Sequence, residues 1–196
     1  MARKTGSHAE TTGPRVRAAA ERLIARHGFA AVSMRQIAAE LVMQAGALYL
    51  YTPDKQTLLF DIMRQHMEET LAAVEGMAGG GSPLERLEQL TRFHVRWHLD
   101  RPERVFIAYM ELRSLNEEHF EAVRVLRRDY EAQWVTVLAN GAEAGAFRVA
   151  APRVAAMGVS AMLTGVTTWY RDGGRLTREE IEDQFCDMVR QAVCAV

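Results

Sequence analysis

Cysteine, proline and long apolar runs are all scarce in this 196-residue chain, and each scarcity excludes a class of protein. Only two cysteines occur, Cys186 and Cys194. On one helix they lie roughly 12 Å apart at about 1.5 Å per residue, beyond the roughly 7 Å that a disulfide spans. They read as small buried hydrophobes in a reducing compartment. A pairing across a dimer axis is the remaining alternative. Five prolines leave long stretches uninterrupted for helix. No apolar run is long enough to span a bilayer. Residues 1–7, Met-Ala-Arg-Lys-Thr-Gly-Ser, lack the apolar stretch of a secretory signal. The expectation is a cytoplasmic protein without membrane partners.

Reactive constellations are missing as well. Gly79-Gly80-Gly81 follows no strand and precedes no Lys-Ser/Thr pair, so it reads as a linker and not as a phosphate loop. His94 and His98 have helical metal-chelating spacing, but Val95 stands where a zinc hydrolase carries glutamate, and no third ligand is evident. They read as polar groups flanking a pocket or as surface. No Ser/His/Asp or Cys/His set has a recognisable context. No metal, cofactor or catalytic residue is expected.

What is present is helix. Val16, Ala19, Ala20, Leu23 and Ile24 repeat with helical period between Pro14 and Gly28. Ser33-Met-Arg-Gln36 is a capping box opening a second helix with Met34, Ile37, Ala38 and Leu41 on one stripe. A break at Val42-Met43 leads to a compact segment, 44–50, which Thr52-Pro53-Asp54 ends before a helix reaching about Met77. Ser82-Pro-Leu-Glu85 and Thr177-Arg-Glu-Glu180 are further capping boxes, and Asn116 caps a long helix to about Asn140. Helices are also expected over about 103–114 and 153–171, with turns at Arg101-Pro102, Gly141 to Pro152 and Asp172-Gly-Gly174. No alternating strand pattern of useful length occurs. The expected fold is all-α with about nine helices.

Charge is distributed unevenly. Residues 1–56 hold eight basic residues (Arg3, Lys4, Arg15, Arg17, Arg22, Arg26, Arg35, Lys55) against four acidic ones, while the remainder has an acidic excess of five. A basic first part on an acidic body is what a chain shows when only that part meets a polyanion. Three short helices, the last two joined by a tight turn, have the layout of a helix-turn-helix. Gln44-Ala-Gly-Ala-Leu-Tyr-Leu-Tyr51 is too short to be stable alone, so its value lies in what it presents. Small residues at 45–47 let the backbone approach a groove wall, Gln44 can pair with base edges, and Tyr49 can reach a phosphate. Lys55 suits a second phosphate, and Ser33 and Arg35 occupy the equivalent place on the second helix.

These residues resemble the TetR family of transcription regulators. The stretch Met34-Arg-Gln-Ile-Ala-Ala, Gly46-Ala-Leu-Tyr49 and Pro53-Asp-Lys-Gln-Thr-Leu-Leu59 is close to that family's signature and covers about 15–60. The resemblance implies a homodimer whose recognition helices read a near-palindromic operator in double-stranded DNA. It places Gln44, Ala45, Ala47 and Tyr49 on recognition-helix contacts and Lys55 on a phosphate. Two positions depart from the pattern: Val42 replaces the usual turn glycine, and Thr52 an aromatic packed behind the recognition helix. A β-branched residue is uncomfortable at positive φ, so the turn is expected to be strained or reshaped.

For the body, Phe93, Trp97, Phe106, Tyr109, Met110, Arg113, Trp134 and Trp169 are candidate ligand contacts, with Arg113 meeting an anionic head; as aromatic and methionine stripes they also read as core. Arg101-Pro-Glu-Arg-Val-Phe106 and Thr168-Trp-Tyr-Arg-Asp-Gly-Gly174 resemble an acyl-coenzyme-A-responsive TetR subgroup, which implies a long apolar pocket with basic residues at its mouth. Residues 154–169, with small Ala156, Gly158, Ala161 and Gly165, are apolar nearly all round, which with 177–194 suits either the homodimer interface, the leading expectation, or a central helix in a monomer. The expected division is a DNA-binding domain over 1–56, with an unstructured tail over 1–13, and a ligand-binding and dimerisation domain over 57–196. The leading expectation is a repressor released from its operator by a small-molecule effector. The alternatives are a helical DNA-binding adaptor without small-molecule control, and a helical enzyme.

Overall fold

The computed structural model describes residues 6–77 and 80–194. Gly79 of the expected linker and residues 1–5 of the expected tail lie outside the described residues. The rest of that tail is helical: α1 runs Gly6–His27, with Pro14 inside it, and does not begin near Arg15. Proline removes one helical donor and crowds the carbonyl of the preceding turn, yet the helix runs through Pro14.

Two short helices follow, α2 (Met34–Glu40) and α3 (Ala45–Leu48), then α4 (Lys55–Glu75), α5 (Pro83–Leu99) and α6 (Pro102–Met110). A 3₁₀ turn at Leu112–Ser114 leads to α7 (Glu117–Glu143), α8 (Pro152–Thr164), α9 (Val166–Trp169) and α10 (Arg178–Val193). Gly165 separates α9 from α8. Counted as one interrupted helix, that pair makes the expected nine among the described residues. Phe147 and Cys194 form an isolated antiparallel bridge, closed by Arg148 N–H to the Val193 carbonyl at 2.7 Å.

The expected caps close these helices. Ser33 and Gln36, Ser82 and Glu85, and Thr177 and Glu180 each exchange both bonds of a capping box. Asn116 Oδ1 accepts from His119 N–H at 2.9 Å, and Asp54 Oδ1 from Thr57 N–H at 2.7 Å. That last bond holds the Asp54 carboxyl below the ordinary aspartate range. Each cap satisfies donors that no helical carbonyl can reach, worth about 1 kcal/mol.

The chain divides into two compact units whose boundary is not a single cut near residue 56. The first joins the residues up to His66 with Glu103–Arg124; the second joins Met67–Pro102 with Val125–Val196. Hydrogen bonding explains the first unit's return segment. Gln56 Nε2 donates to the Ser114 carbonyl at 2.6 Å, and Asn116 N–H donates to Gln56 Oε1 at 3.2 Å. Arg104 pairs with Glu21 at 3.0 Å, and His119 stacks on Phe60 with ring centroids 4.2 Å apart.

In the second unit α5 packs on α8, α9 and α10. Leu87, Leu90 and Val95 of α5 are buried, as are Leu138, Leu163, Phe185 and Val189. Glu182 on α10 is buried, and Arg96 of α5 compensates it with two bonds, at 2.9 and 2.7 Å. Removing Arg96 would leave that buried carboxylate only the longer contact with Arg92, at 3.8 Å. Gly141 is required by packing, since a Cβ there would overlap the buried Phe147 ring. Cys186 is buried and Cys194 half-buried, both as free thiols, and burial pushes Cys186 up to about 11. No helix among the described residues is long and apolar enough to cross a membrane.

Candidate nucleic-acid interface and sensing core

Ile24, Val32, Ile37, Ala38 and Leu48 bury the inner faces of α1, α2 and α3 against one another. The first turn of this assembly is held from outside it. Gly28 ends α1 at φ 81°, its N–H bonded to the Ile24 carbonyl at 2.8 Å. Phe29 N–H then donates to Glu111 Oε1 at 2.9 Å, while Lys55 Nζ donates to the carbonyls of Phe29 at 2.8 Å and Val32 at 2.7 Å. The same ammonium lies 4.1 Å from the Phe29 ring centroid. Lys55, expected on a DNA phosphate, is therefore engaged inside the protein. The reason is local: the loop between α1 and α2 leaves two carbonyls without helical donors, and Lys55 sits beside them at the start of α4.

The turn between α2 and α3 answers the question raised by Val42. Its φ is +56°, and it alone among the described non-glycine residues has positive φ. Met43 N–H bonds to the Ala38 carbonyl at 2.9 Å and Val42 N–H to the Ala39 carbonyl at 3.0 Å. This pair of bonds is the Schellman motif, normally closed by glycine. The turn keeps its shape and Val42 bears the strain, with a side chain 96 % exposed. Thr52 is buried, and its hydroxyl donates to the Asp54 carbonyl at 3.0 Å.

Four-residue α3 is anchored by Leu48, which is fully buried, and presents the rest of its surface outward. Gln44 is its exposed N-cap and makes no capping bond with its side chain. Tyr49 is exposed, Ala45 and Ala47 half-buried, and a Cβ on Gly46 would meet no protein atom within 4 Å. Ser33 and Arg35 are exposed at the start of α2, although the Ser33 hydroxyl is already engaged with Gln36. The structure thus brings six of the seven expected DNA contacts to the outside of one helix-turn-helix and turns the seventh, Lys55, inward.

The eight candidate ligand contacts divide between the units. Phe106, Tyr109, Met110 and Arg113 belong to the first; the first three are exposed because α6 buries Val105, Ile107 and Ala108 instead, and Arg113 is exposed on the 3₁₀ turn that follows. Phe93, Trp97, Trp134 and Trp169 belong to the second. Phe93 and Trp97 stack at 5.3 Å and line an open groove of about 340 Å³ with Arg92, Arg96 and Asp100. Arg101 lies over the Trp97 ring at 3.5 Å, and Trp97 Nε1 donates to Thr70 Oγ1 at 2.9 Å. Trp169 borders a second groove of about 240 Å³ with Arg171 and Arg175. Arg178 joins Asp172 at 2.9 Å to Asp100 at 2.5 Å, so the Asp100–Pro102 turn and the 168–174 segment are tied together.

The two histidines lie deeper than their helical spacing alone suggests. His94 and His98 are both in the core, their rings stacked 3.8 Å apart. His94 bridges Tyr130 Oη at 2.8 Å and Thr164 Oγ1 at 3.0 Å. His98 Nδ1 donates to the His94 carbonyl at 2.8 Å, and burial lowers the ring's pKa to about 4, with the Arg127 charge adding to the shift. They are polar core groups, not surface. A clue lay in the sequence: Tyr130 and Trp134 share the four-residue spacing of His94 and His98 on a facing helix. Among the described residues no group of three or more His, Cys, Asp or Glu could hold a metal ion.

Comparison with known proteins agrees with this geometry. Residues 16–62 match the tetR family of bacterial regulatory proteins, and 80–193 match the tetracyclin repressor-like C-terminal domain. The HTH-type transcriptional repressor KstR2 of Mycobacterium tuberculosis is 26% identical over 173 residues, covering 85% of each chain. A tetR-family regulator from Rhodococcus RHA1 superposes with a TM-score of 0.89 at 28% identity, covering 95% of this chain and 99% of that one. AibR, solved in complex with isovaleryl coenzyme A and operator DNA, superposes with a TM-score of 0.79 at 28% identity, covering 89% and 97%. With its helix-turn-helix and its C-terminal body both matched, the chain belongs to the tetR family of bacterial transcription regulators.

Proposed function

We propose that this regulator is a homodimeric repressor that leaves a palindromic operator when an acyl-coenzyme A thioester, or a similar hydrophobic anion, binds its second unit. The observation that carries the DNA half is the outward face of α3: Gln44, Ala45, Ala47 and Tyr49 are presented by a helix whose one large apolar residue, Leu48, is buried. Ser33 and Arg35 extend that face along α2. Two copies would address half-sites about one DNA turn, roughly 34 Å, apart.

Dimerisation has its own support. Val154, Met157, Gly158 and Ala161 form an exposed stripe along α8, with Val154 69 % and Met157 55 % accessible. Beside it a groove of about 240 Å³ is lined by Ala155, Gly158, Val159, Met162, Ala192 and Val193, from α8 and α10. An apolar helix face of this kind marks a protein interface. Isologous pairing of α8 and α10 would cover it.

The effector class draws on AibR, a relative solved with isovaleryl coenzyme A, and on the arginine- and aromatic-lined grooves of the second unit. The test is a mobility-shift assay on the chain's own upstream DNA with a panel of acyl-coenzyme A esters. Release by at least one ester, absent with free coenzyme A, is the expected result. Retention of the complex with every ester would refute the effector class. Met157→Asp should convert a dimer to a monomer in light scattering; an unchanged mass would refute the interface.

A further inference from the structure

Trp134 is fully buried at 0 % exposure, yet its indole Nε1–H has no hydrogen-bond partner among the described residues. Leaving such a donor unpaired in a core costs about 1–3 kcal/mol, and native cores rarely keep one without a use. A polar cluster lies beside it. Trp134 stands edge-on to His94, 5.7 Å between ring centroids, and His94 in turn joins Tyr130 and Thr164. α5, α7 and α8 thus converge on five side chains that carry hydrogen-bonding groups, counting His98 stacked behind His94. An apolar residue at any of these places would have made an ordinary core.

Resting on the reading that the second unit binds a small effector, we infer that Trp134 donates its N–H to an uncharged oxygen of that effector, a ketone or hydroxyl, so that the sensing core selects an oxygenated hydrophobic ligand. Indole is a donor only, so the complementary group must be an acceptor. A carboxylate or phosphate does not suit this place, because full burial makes an ionised group far costlier to desolvate than a neutral oxygen. A site built to hydrogen-bond its ligand rejects the analogue lacking the bonding group much more strongly than an apolar pocket rejects an extra group.

The three tryptophan indole signals of the full-length protein can be followed by ¹⁵N NMR and assigned with Trp97→Phe and Trp169→Phe, which leave Trp134 in place. Cyclohexanone is titrated against its isostere methylenecyclohexane, and 3-oxohexanoyl-CoA against hexanoyl-CoA. The expected result is a downfield shift of the Trp134 signal with the ketone of a pair and not with its partner, and about tenfold tighter binding of the ketone. No Trp134 shift with either ketone, or affinities within twofold of each other in both pairs, overturns the inference. Equal release of operator DNA by both CoA esters with Trp134 unmoved overturns it and leaves the coenzyme A reading standing. A Trp134 shift with cyclohexanone, without operator release by any CoA ester, supports the inference and overturns that reading.

Discussion

Lys55 Nζ lies 2.8 Å from the Phe29 carbonyl oxygen and 4.1 Å from the centre of the Phe29 ring, so one ammonium serves both ends of the same residue. The Phe29 amide is held from the other side by Glu111, which also accepts from the Ser114 hydroxyl at 2.7 Å. The loop that leads into the Ser33 cap is thus clamped between the start of α4 and the end of α6. The placement of α2, and with it α3, depends on this clamp.

Lys55→Met keeps the stem and removes the three donors, so the Val32 carbonyl loses its 2.7 Å bond and the Phe29 carbonyl keeps only the 3.3 Å bond from Val32 N–H. The expected loss is about 2 kcal/mol of stability, read as a lower urea midpoint in the absence of DNA. A variant as stable as the parent that only binds operator less tightly would return Lys55 to the phosphate role.

Val42→Gly removes the Cβ from a left-handed position. A non-glycine residue there costs about 1–2 kcal/mol, and part of the gain is offset by the greater freedom of glycine in the unfolded chain. The expected net result is stabilisation of about 1 kcal/mol, seen as a higher melting temperature with an unchanged helical signal. An equal or lower melting temperature would show that the Val42 backbone is unstrained.

Gly46→Ala separates folding from DNA binding. The added Cβ meets no protein atom within 4 Å, and alanine favours helix over glycine by up to about 1 kcal/mol. Stability should hold or rise, while operator affinity falls about tenfold as the methyl group meets the groove wall. Unchanged affinity in a fluorescence-anisotropy titration would move the recognition surface off this face of α3.

Acid should weaken the second unit through His98. Its folded pKa, about 4, lies below the ordinary value of 6.5, so between these pH values the unfolded chain binds a proton that the folded chain refuses. Stability is therefore full above about pH 6.5, falls as pH drops towards 4, and loses at most about 3 kcal/mol from this ring. His98→Asn should flatten that part of the urea-midpoint profile. Parallel profiles for parent and variant would assign the acid sensitivity to other groups.

Much of the helical plan is local chemistry and was legible without coordinates. Ser33 with Gln36, Ser82 with Glu85 and Thr177 with Glu180 announce helix starts because the bonds they form span only three residues. The Val42 turn was legible in the same way: a break after an apolar stripe, followed by a segment too short to stand alone, leaves a tight turn as the connection. The outward placing of Gln44 and Tyr49 follows from Leu48 having to face inward.

What no local pattern contains is the partner of a side chain far along the chain. Glu111 meets Phe29 across 82 positions, His94 meets Thr164 across 70, and Arg96 meets Glu182 across 86. Those pairings decided that the two histidines are core and that residues 103–124 belong with the DNA-binding helices. Capping and periodicity act within a few residues and determined the helices and the motif by themselves. Only tertiary packing, which settles which polar groups lose water and must find one another, could decide which side chains remained available to DNA or to a ligand.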